Sequence, residues 1–458
     1  MAIEHKEKIA GLKDNSNASL GFDDLVVRDC LGSQLPSGEA ISVLHDRQAL
    51  YFDLETGRQR HARIESVTVS RDVPCHKVTT SGGRSVIVGG NWSLIAYNSH
   101  TGKLDYVSPE NAKDKLVPVI KKRKVTGTFY TWEHGWFYGA LISDGWLRNN
   151  MVGYAKVCRE KREFFERVAR TQIHENFICK TYHENTAVGK NKLGDSAKIH
   201  LNGVDLARRI VNCVDETLPY EGRNALRKFI PPEILYDGSW EFLLGLLAGL
   251  LEGDGTLGWN YVMKNPRAII RYSTSSPRLV EDFRVLGILM GFRVSVTVTP
   301  PRGHSKTAYS ICLSIPDMYV LFYELKFVSQ KAQKFQRTFI GPHKPKNDRD
   351  IVPIIASEAK EAADYLPKNR NTPKEILTAY AAFRDAMHTG FLSRDAARKY
   401  LNYLPDTICP RLRKLVDNDS IIWERYKKVE VVAPGDVYNL RLYGSEICAL
   451  ENGLIVPV

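Results

Sequence analysis

Cysteine is scarce and unclustered in this chain: eight occur in 458 residues, at Cys30, Cys75, Cys158, Cys179, Cys213, Cys312, Cys409 and Cys448. No C-x-x-C pair and no Cys/His cluster is present, which argues against a structural zinc and against a disulfide framework. A reducing, intracellular compartment fits, with the thiols as small buried hydrophobes. Long apolar runs are also missing. The longest, Phe242 to Leu251, is bracketed by Glu241 and Glu252 and is too short to span a bilayer, so no membrane role is expected. Met1 to Lys13 is polar and charged, unlike a signal peptide. Acidic residues are the minority charge, 52 Asp and Glu against 64 Lys and Arg, giving a formal charge of +12. That balance suits a phosphate-rich partner without proving one.

Two stretches say nearly the same thing. Phe137-Tyr138-Gly139-Ala140-Leu141-Ile142-Ser143-Asp144-Gly145 and Leu247-Ala248-Gly249-Leu250-Leu251-Glu252-Gly253-Asp254-Gly255 each read as an apolar, small-residue helix ending in Asp-Gly. Gly139 with Ala140, and Gly245 with Ala248 and Gly249, remove bulk from one helix face, so the two helices can pack backbone to backbone. The Gly after each Asp is expected to take the positive φ of a helix C-terminus. Two carboxylates would then meet at the foot of the pair with no cationic partner between them, an arrangement suited to a hard divalent cation bound through oxygen. Magnesium held there could activate water and stabilise the leaving oxygen of a phosphodiester.

The elements that follow repeat as well. After Asp144 come a strand (Met151 to Cys158), a helix (Glu163 to His174), strands (Phe177 to His183, Ala197 to Leu201) and a helix (Val204 to Val214). After Asp254 come a strand-forming run (Tyr261 to Thr274), a helix (Pro277 to Met290), strands (Arg293 to Thr299, Thr307 to Ser314) and a helix (Asp317 to Lys326). Internal repetition of this kind marks a duplicated unit. Arg159, Lys161, Lys180, His183, Lys190, Lys192, Lys264, Arg267, Arg271 and Arg293 fall on or beside the expected strands, where alternate side chains of a ribbon can reach base edges in a DNA major groove.

The second stretch resembles, at most of its nine positions, the motif of the LAGLIDADG homing endonucleases, and the first fits its looser form. The resemblance implies a monomer, without an obligate protein partner, that makes a double-strand break in one long asymmetric DNA target using Mg2+, with Mn2+ as a substitute. Asp144 and Asp254 would be metal ligands and catalytic groups, with Ser143 and Gly253 beside the ion. Lys198 and Lys306, each at the start of the last strand of a half, stand where intein endonucleases carry a catalytic lysine.

The flanks read as β structure: Ala49 to Asp53, a turn at Glu55 to Arg58, Ala62 to Ser70, His76 to Thr80 and Arg84 to Val88, then Trp423 to Val432, Asp436 to Leu442 and Ile447 to Val456. Gly83 to Leu94, Asp436 to Leu440, Glu451 to Val456 and Ser19 to Val26 are similar to intein segments, and Gly390 to Tyr400 resembles a helical segment of such inteins. Gly89 and Trp92 occupy the places of the Thr and His of the intein Thr-x-x-His block, and Pro457-Val458 lacks the terminal Asn; Ser19 or Cys30 would mark the old junction. The expectation is therefore an α+β chain with a two-repeat αββαββα LAGLIDADG core inserted into a discontinuous all-β Hint-like domain. Its expected limits are 1–18 (extension), 19–125 and 423–458 (Hint-like), 126–345 (endonuclease, repeats about 132–235 and 236–345) and 346–422 (helical). An intein still active in splicing, and a nuclease-dead DNA-binding or maturase-like protein, are the alternatives.

Overall fold

The computed structural model describes residues 2–4, 40–41, 48–53, 58–122, 125, 127–128, 130–148, 151–173, 178–187, 193–202, 228–231, 234–235, 238–261, 266–301, 307–341, 350–369, 371–443, 447–449 and 454–457. Two compact units emerge, Val125–Pro345 and the two flanking stretches Met1–Lys124 with Lys346–Val458.

In the unit Val125–Pro345 the first half comprises α1 (Trp132–Asp144), β1 (Gly145–Arg148), β2 (Met151–Lys156), α2 (Arg159–Val168), β3 (Ile178–Ala187) and β4 (Leu193–Asn202). The second comprises α3 (Trp240–Gly253), β5 (Gly255–Asn260), β6 (Arg267–Thr274), α4 (Pro277–Met290), β7 (Val294–Thr299), β8 (Ala308–Leu313), α5 (Ile315–Leu321) and α6 (Gln330–Phe339). Each half forms a four-stranded antiparallel sheet with the strand order first, second, fourth, third. The expected single strands after each Asp are hairpins, because Gly145 and Gly255 start a strand directly. The helix expected at Val204 to Val214 lies outside the described residues, and α6 was not expected.

α1 begins at Thr131, whose hydroxyl accepts from the His134 amide, and α3 begins at Ser239, whose hydroxyl accepts from the Phe242 amide at 3.1 Å. Every residue of α3 from Phe242 to Glu252 is buried, because the helix packs against α1 and against β5 and β6 of its own half. A Cβ on Gly249 would lie 2.3 Å from the Trp136 carbonyl oxygen, and one on Gly139 would lie 2.4 Å from that of Leu246. Gly135 and Gly245 make equally close approaches, to Phe242 O and Trp132 O, at 2.0 Å each. The helices therefore touch backbone to backbone. One continuous core surrounds them, with Tyr154 stacked on Phe165 and Tyr272 against Phe283 at corresponding places in the two halves.

The flanking unit is organised by two long strands, Arg58–Thr80 and Ile421–Leu442, paired antiparallel. Each replaces two expected strands. Register shifts at Val432/Gly435 and Gly435/Val437, opposite Asp72 at φ 51°, let the ladder bend and continue instead of turning. Ser85–Gly89 and Leu116–Ile120 add to it. Four helices, Ala356–Tyr365, Lys374–Thr389, Arg394–Leu401 and Pro410–Asp417, bury their own apolar core. Buried Arg394 ties them to the long strand, pairing with Asp350 at 3.1 Å and donating to the carbonyls of Val416 and Asn418 at 3.0 Å and of Ile421 at 2.5 Å.

Candidate active site

α1 and α3 end side by side. A Cβ built on Gly253 would lie 2.1 Å from Ser143 Cβ and 3.2 Å from Asp144 Oδ2, so only a glycine lets the two ends touch here. The glycines after the aspartates play a different part from the one expected. Gly145 is extended, at φ −77°, and neither it nor Gly255 has positive φ. A Cβ on them would strike Leu141 O at 2.4 Å and Leu251 O at 2.1 Å, so both are small because the chain folds back over its own helix end into a strand.

Asp144 and Asp254 stand close enough to interact: the Asp254 carboxyl is held above the usual range, by burial first and then by the charge of Asp144, with Lys228 and Lys156 opposing. The expectation of no cationic partner is overturned. Lys156 at the end of β2 places Nζ 2.5 Å from Asp144 Oδ2 and 3.3 Å from Gly253 O. Lys161 of α2 donates to Glu252 O, and Lys228, from the stretch ahead of α3, donates to Ser143 O. Desolvation lowers the pKa of both Lys161 and Lys228. Main-chain oxygens at a helix C-terminus carry partial negative charge, so the helix ends and the two carboxylates together attract these ammonium groups.

Glu252 escaped the sequence reading. Its buried carboxylate accepts from Trp136 Nε1 (2.8 Å), Val328 N (2.9 Å), Ser329 N (2.7 Å) and Ser329 Oγ (2.5 Å), clamping α1, α3 and the start of α6 together. The Ser143 hydroxyl is engaged with Leu250 O (3.3 Å) and Tyr272 OH (3.1 Å), which leaves its carbonyl as the oxygen facing Lys228.

The donor set around the helix ends is all oxygen: two carboxylates and the carbonyls of Ser143 and Gly253. Such a set fits a hard divalent cation. Among the described residues no group of three or more His, Cys, Asp and Glu side chains is assembled, so main-chain oxygens and water would have to complete the shell.

A family profile described as a LAGLIDADG-like domain matches residues 241–339. Residues 241–339 thus carry a LAGLIDADG-like domain. Among curated proteins, the chain is 22% identical over 369 residues to a DNA-directed RNA polymerase subunit Rpo1C of Methanocaldococcus jannaschii, covering 77% of this chain and 39% of that protein. It is 26% identical over 251 residues to a replicative DNA helicase DnaB of Nostoc, covering 52% and 27%, and 34% identical over 125 residues to an ATP-dependent DNA helicase Hel308 of Thermococcus kodakarensis, covering 26% and 10%. The chain therefore spans about two fifths or less of the length of these relatives. Similar solved structures include the homing endonuclease I-DmoI in complex with DNA and Ca (11% identity, 45% of this chain and 97% of that one, TM-score 0.28) and the TvoVMA intein (19%, 26% and 69%, TM-score 0.22).

The LAGLIDADG-like domain contains the second sheet, and there Ile270 and Tyr272 point into the core. Arg267 and Arg271 occupy the alternate row of β6, across from Asn260 and Thr256 of β5 and, for Arg271, Cys312 of β8. That row contains no acidic residue on β5, β6, β7 or β8, and Arg271 Nε has no hydrogen-bond partner among the described residues. Arg293 is not on this face. Its guanidinium is locked on the buried Asp317, with Nε 2.8 Å from Oδ2, in a pair that anchors the start of β7 to α5. Arg159 opens helix α2, off the strands, and pairs with Glu163 at 2.6 Å, while Lys161 serves the helix ends as described.

In the first sheet the main-chain register pairs Lys180 with His200 and His183 with Ala197, so Lys180 and His183 fall in alternate rows of the strand. Lys198 is paired through its main chain with Ala155 and Tyr182. Lys190, Lys192, Lys264 and Lys306 lie outside the described residues.

Proposed function

We propose that this chain is a site-specific DNA endonuclease of the LAGLIDADG homing type, making a double-strand break in a long asymmetric target, with an intein-like flanking unit that no longer splices. The observation that carries this is the pair of carboxylates, Asp144 and Asp254, at the foot of two glycine-faced helices, close enough for the charge of Asp144 to act on the Asp254 carboxyl. Structural helices have no use for two adjoining acids at a shared end.

Asp144, Asp254 and the carbonyls of Ser143 and Gly253 would hold the divalent ion, Mg2+ or Mn2+. Bound there, such an ion supplies Lewis acidity for water and for the leaving oxygen. Lys156 joins Lys198 as a candidate lysine of the first half, being the ammonium already at Asp144. It orients water or neutralises charge on the phosphate. Arg267 and Arg271 lie in the row suited to reading DNA in the second half-site, and Lys180 in a corresponding row of the first. One chain with two unlike sheets would read an asymmetric site as a monomer. The relatives support the reading through their diversity: a polymerase subunit and two kinds of helicase have no common activity, and the shared part is a minor share of each. An element inserted in unrelated hosts accounts for this.

Trp92 supports loss of splicing. It packs against Cys75 and Val437, and its Cδ1 would lie 2.4 Å from a Cβ on Gly89, so the indole fills the space beside Gly89 as a packing group. Incubated alone, the chain should keep its full mass of 51.8 kDa, and a spontaneous cleavage product beside Ser19 or Cys30 would refute this part. Cleavage of randomised duplexes with Mg2+ tests the endonuclease reading, which fails if no duplex is cut.

A further inference from the structure

The flanking unit contains a cleft that takes no part in the chemistry at the paired aspartates. Its volume is about 410 Å³, and Lys113, Lys427, Lys428, His76 and Glu110 line it beside the exposed Val431. Three ammonium groups share it with one carboxylate. Like charges repel, so lysines free to do so spread into solvent; here the main chain brings them together.

The ladder between Arg58–Thr80 and Ile421–Leu442 pairs Thr80 with Tyr426 and Thr79 with Lys428, which leaves Lys427 as an extra, unopposed residue. A bulge of this kind breaks the alternation of a strand, so Lys427 and Lys428 both reach the cleft. Lys113 arrives from the other side. Asp114, at φ 65°, donates its amide to Tyr426 O at 2.8 Å, and the Tyr426 amide donates to Lys115 O at 3.0 Å. The segment carrying Lys113 is thereby stitched to the strand one residue before the bulge. Lys428 pairs with Glu430 at 2.6 Å, both side chains being exposed, whereas among the described residues no acid pairs with Lys113 or Lys427.

His76 supplies a directed donor. Its Nδ1 is buried without a hydrogen-bond partner among the described residues, against Gly90, where a Cβ would lie 3.6 Å from it. A buried N–H without an acceptor is disfavoured more than a bare lone pair, so the neutral ring carries its proton on Nε2. That edge faces Glu110, whose Oε1 lies 3.9 Å away, beyond hydrogen-bond range. Glu110 is 71% exposed on the turn Pro109–Asn111, so its carboxylate can swing out and yield to another oxyanion.

We infer that this cleft is a phosphate-binding site: Lys113, Lys427 and Lys428 neutralise the anion, His76 Nε2 donates to one of its oxygens, and Glu110 competes for its place. A cleft lined by one sign of charge focuses its field on such a group. The phosphate is one carried by a nucleotide or by a nucleic-acid backbone, because the volume exceeds that of a single phosphate and Val431 offers an apolar wall to a sugar. The inference is independent of DNA cleavage, since the cleft belongs to a different unit from the paired aspartates.

The test is calorimetric titration of the full chain, in chelator, with inorganic phosphate, with adenosine monophosphate and with a short DNA duplex. Inorganic phosphate should bind. Lys113→Ala and Lys427→Ala should each weaken it by about tenfold, and Glu110→Gln, which removes the competing carboxylate, should tighten it by about threefold. Lys334→Ala, in the other unit, should change nothing. All four positions are exposed, so folding is not at stake. In nitrogen NMR of the histidine side chains, the His76 Nε2–H signal, identified by its loss in His76→Gln, should shift when phosphate is added. Tighter binding of the nucleotide than of phosphate, with duplex binding indifferent to the two lysines, assigns a free nucleotide. Duplex binding whose salt dependence becomes shallower by about one unit per lysine removed assigns a nucleic-acid backbone. No phosphate binding, binding indifferent to Lys113 and Lys427, a Glu110→Gln variant that binds no tighter, or a His76 signal that stays in place would each overturn the inference while leaving the endonuclease reading intact. Failure to cut any duplex would refute that reading and leave this inference standing.

Discussion

Replacing Gly249 by Ala tests the close helix contact that brings the two aspartates together. The added Cβ would lie 2.3 Å from Trp136 O and 2.9 Å from Ala140 N. Both are backbone atoms of the neighbouring helix, so no side-chain rotation relieves the clash, and the helices must separate by about an ångström to restore van der Waals contact. Overpacking of this kind costs about 1–3 kcal/mol, and the upper end applies because a whole helix must move. Ala regains about 1 kcal/mol of helix propensity over Gly. The net expectation is a loss of about 2 kcal/mol, or about 4–8 °C in melting temperature for a unit of this size. Gly258→Ala is the matched control, since its Cβ would meet nothing within 4 Å, and should change stability by less than about 0.5 kcal/mol. Thermal and urea unfolding of the two variants measures the difference. If Gly249→Ala is as stable as the wild type, or no worse than Gly258→Ala, the backbone-contact account of the helix pair is wrong.

Other perturbations follow from the same geometry. Glu252→Ala strands the donors of Trp136, Val328 and Ser329 in a buried site and should cost about 3–5 kcal/mol in urea unfolding. Arg293→Ala leaves the buried Asp317 unpaired and should destabilise by about 3 kcal/mol, whereas Arg271→Ala should leave the fold stable and relax base preference locally in one half-site of a selected library. The folded pKa of Asp254 lies above the unfolded value of 3.8, so the native state holds the extra proton between the two. Stability in chelator should therefore fall as pH rises from the unfolded value through the folded one, and Asp254→Asn should remove that fall and be the more stable protein above it.

The helix pair was legible because its signal is local: Gly139, Gly249 and the Asp-Gly ends are neighbours in sequence, and small residues at helical spacing have one common physical cause. Helix Pro277–Met290 was legible for the same reason, bounded by Ser276 and Pro277 before it and Gly291, at φ 85°, after it. The lysines were not. Lys156, Lys161 and Lys228 reach acceptors 97, 91 and 85 residues away, and no periodicity reports a pairing between a strand end and a helix end of another half. Arg293 was misassigned because a strand-edge arginine looks alike whether it faces DNA or Asp317. The conformation of Gly145 was misassigned because helix-terminal glycines usually serve positive φ, while here the need is space beside Leu141. The two long strands of the flanking unit were each read as two, since a bulge and a turn use the same residues.

The most direct test of the central claim is strand cleavage of a randomised duplex library with Mg2+ by the wild type, Asp144→Asn and Asp254→Asn, alongside gel-shift binding without divalent ions. The wild type should cut both strands of a single asymmetric target, and each variant should bind that target but fail to make the double-strand break. A variant that cuts both strands at the wild-type rate would contradict the assignment of the two aspartates to the chemistry.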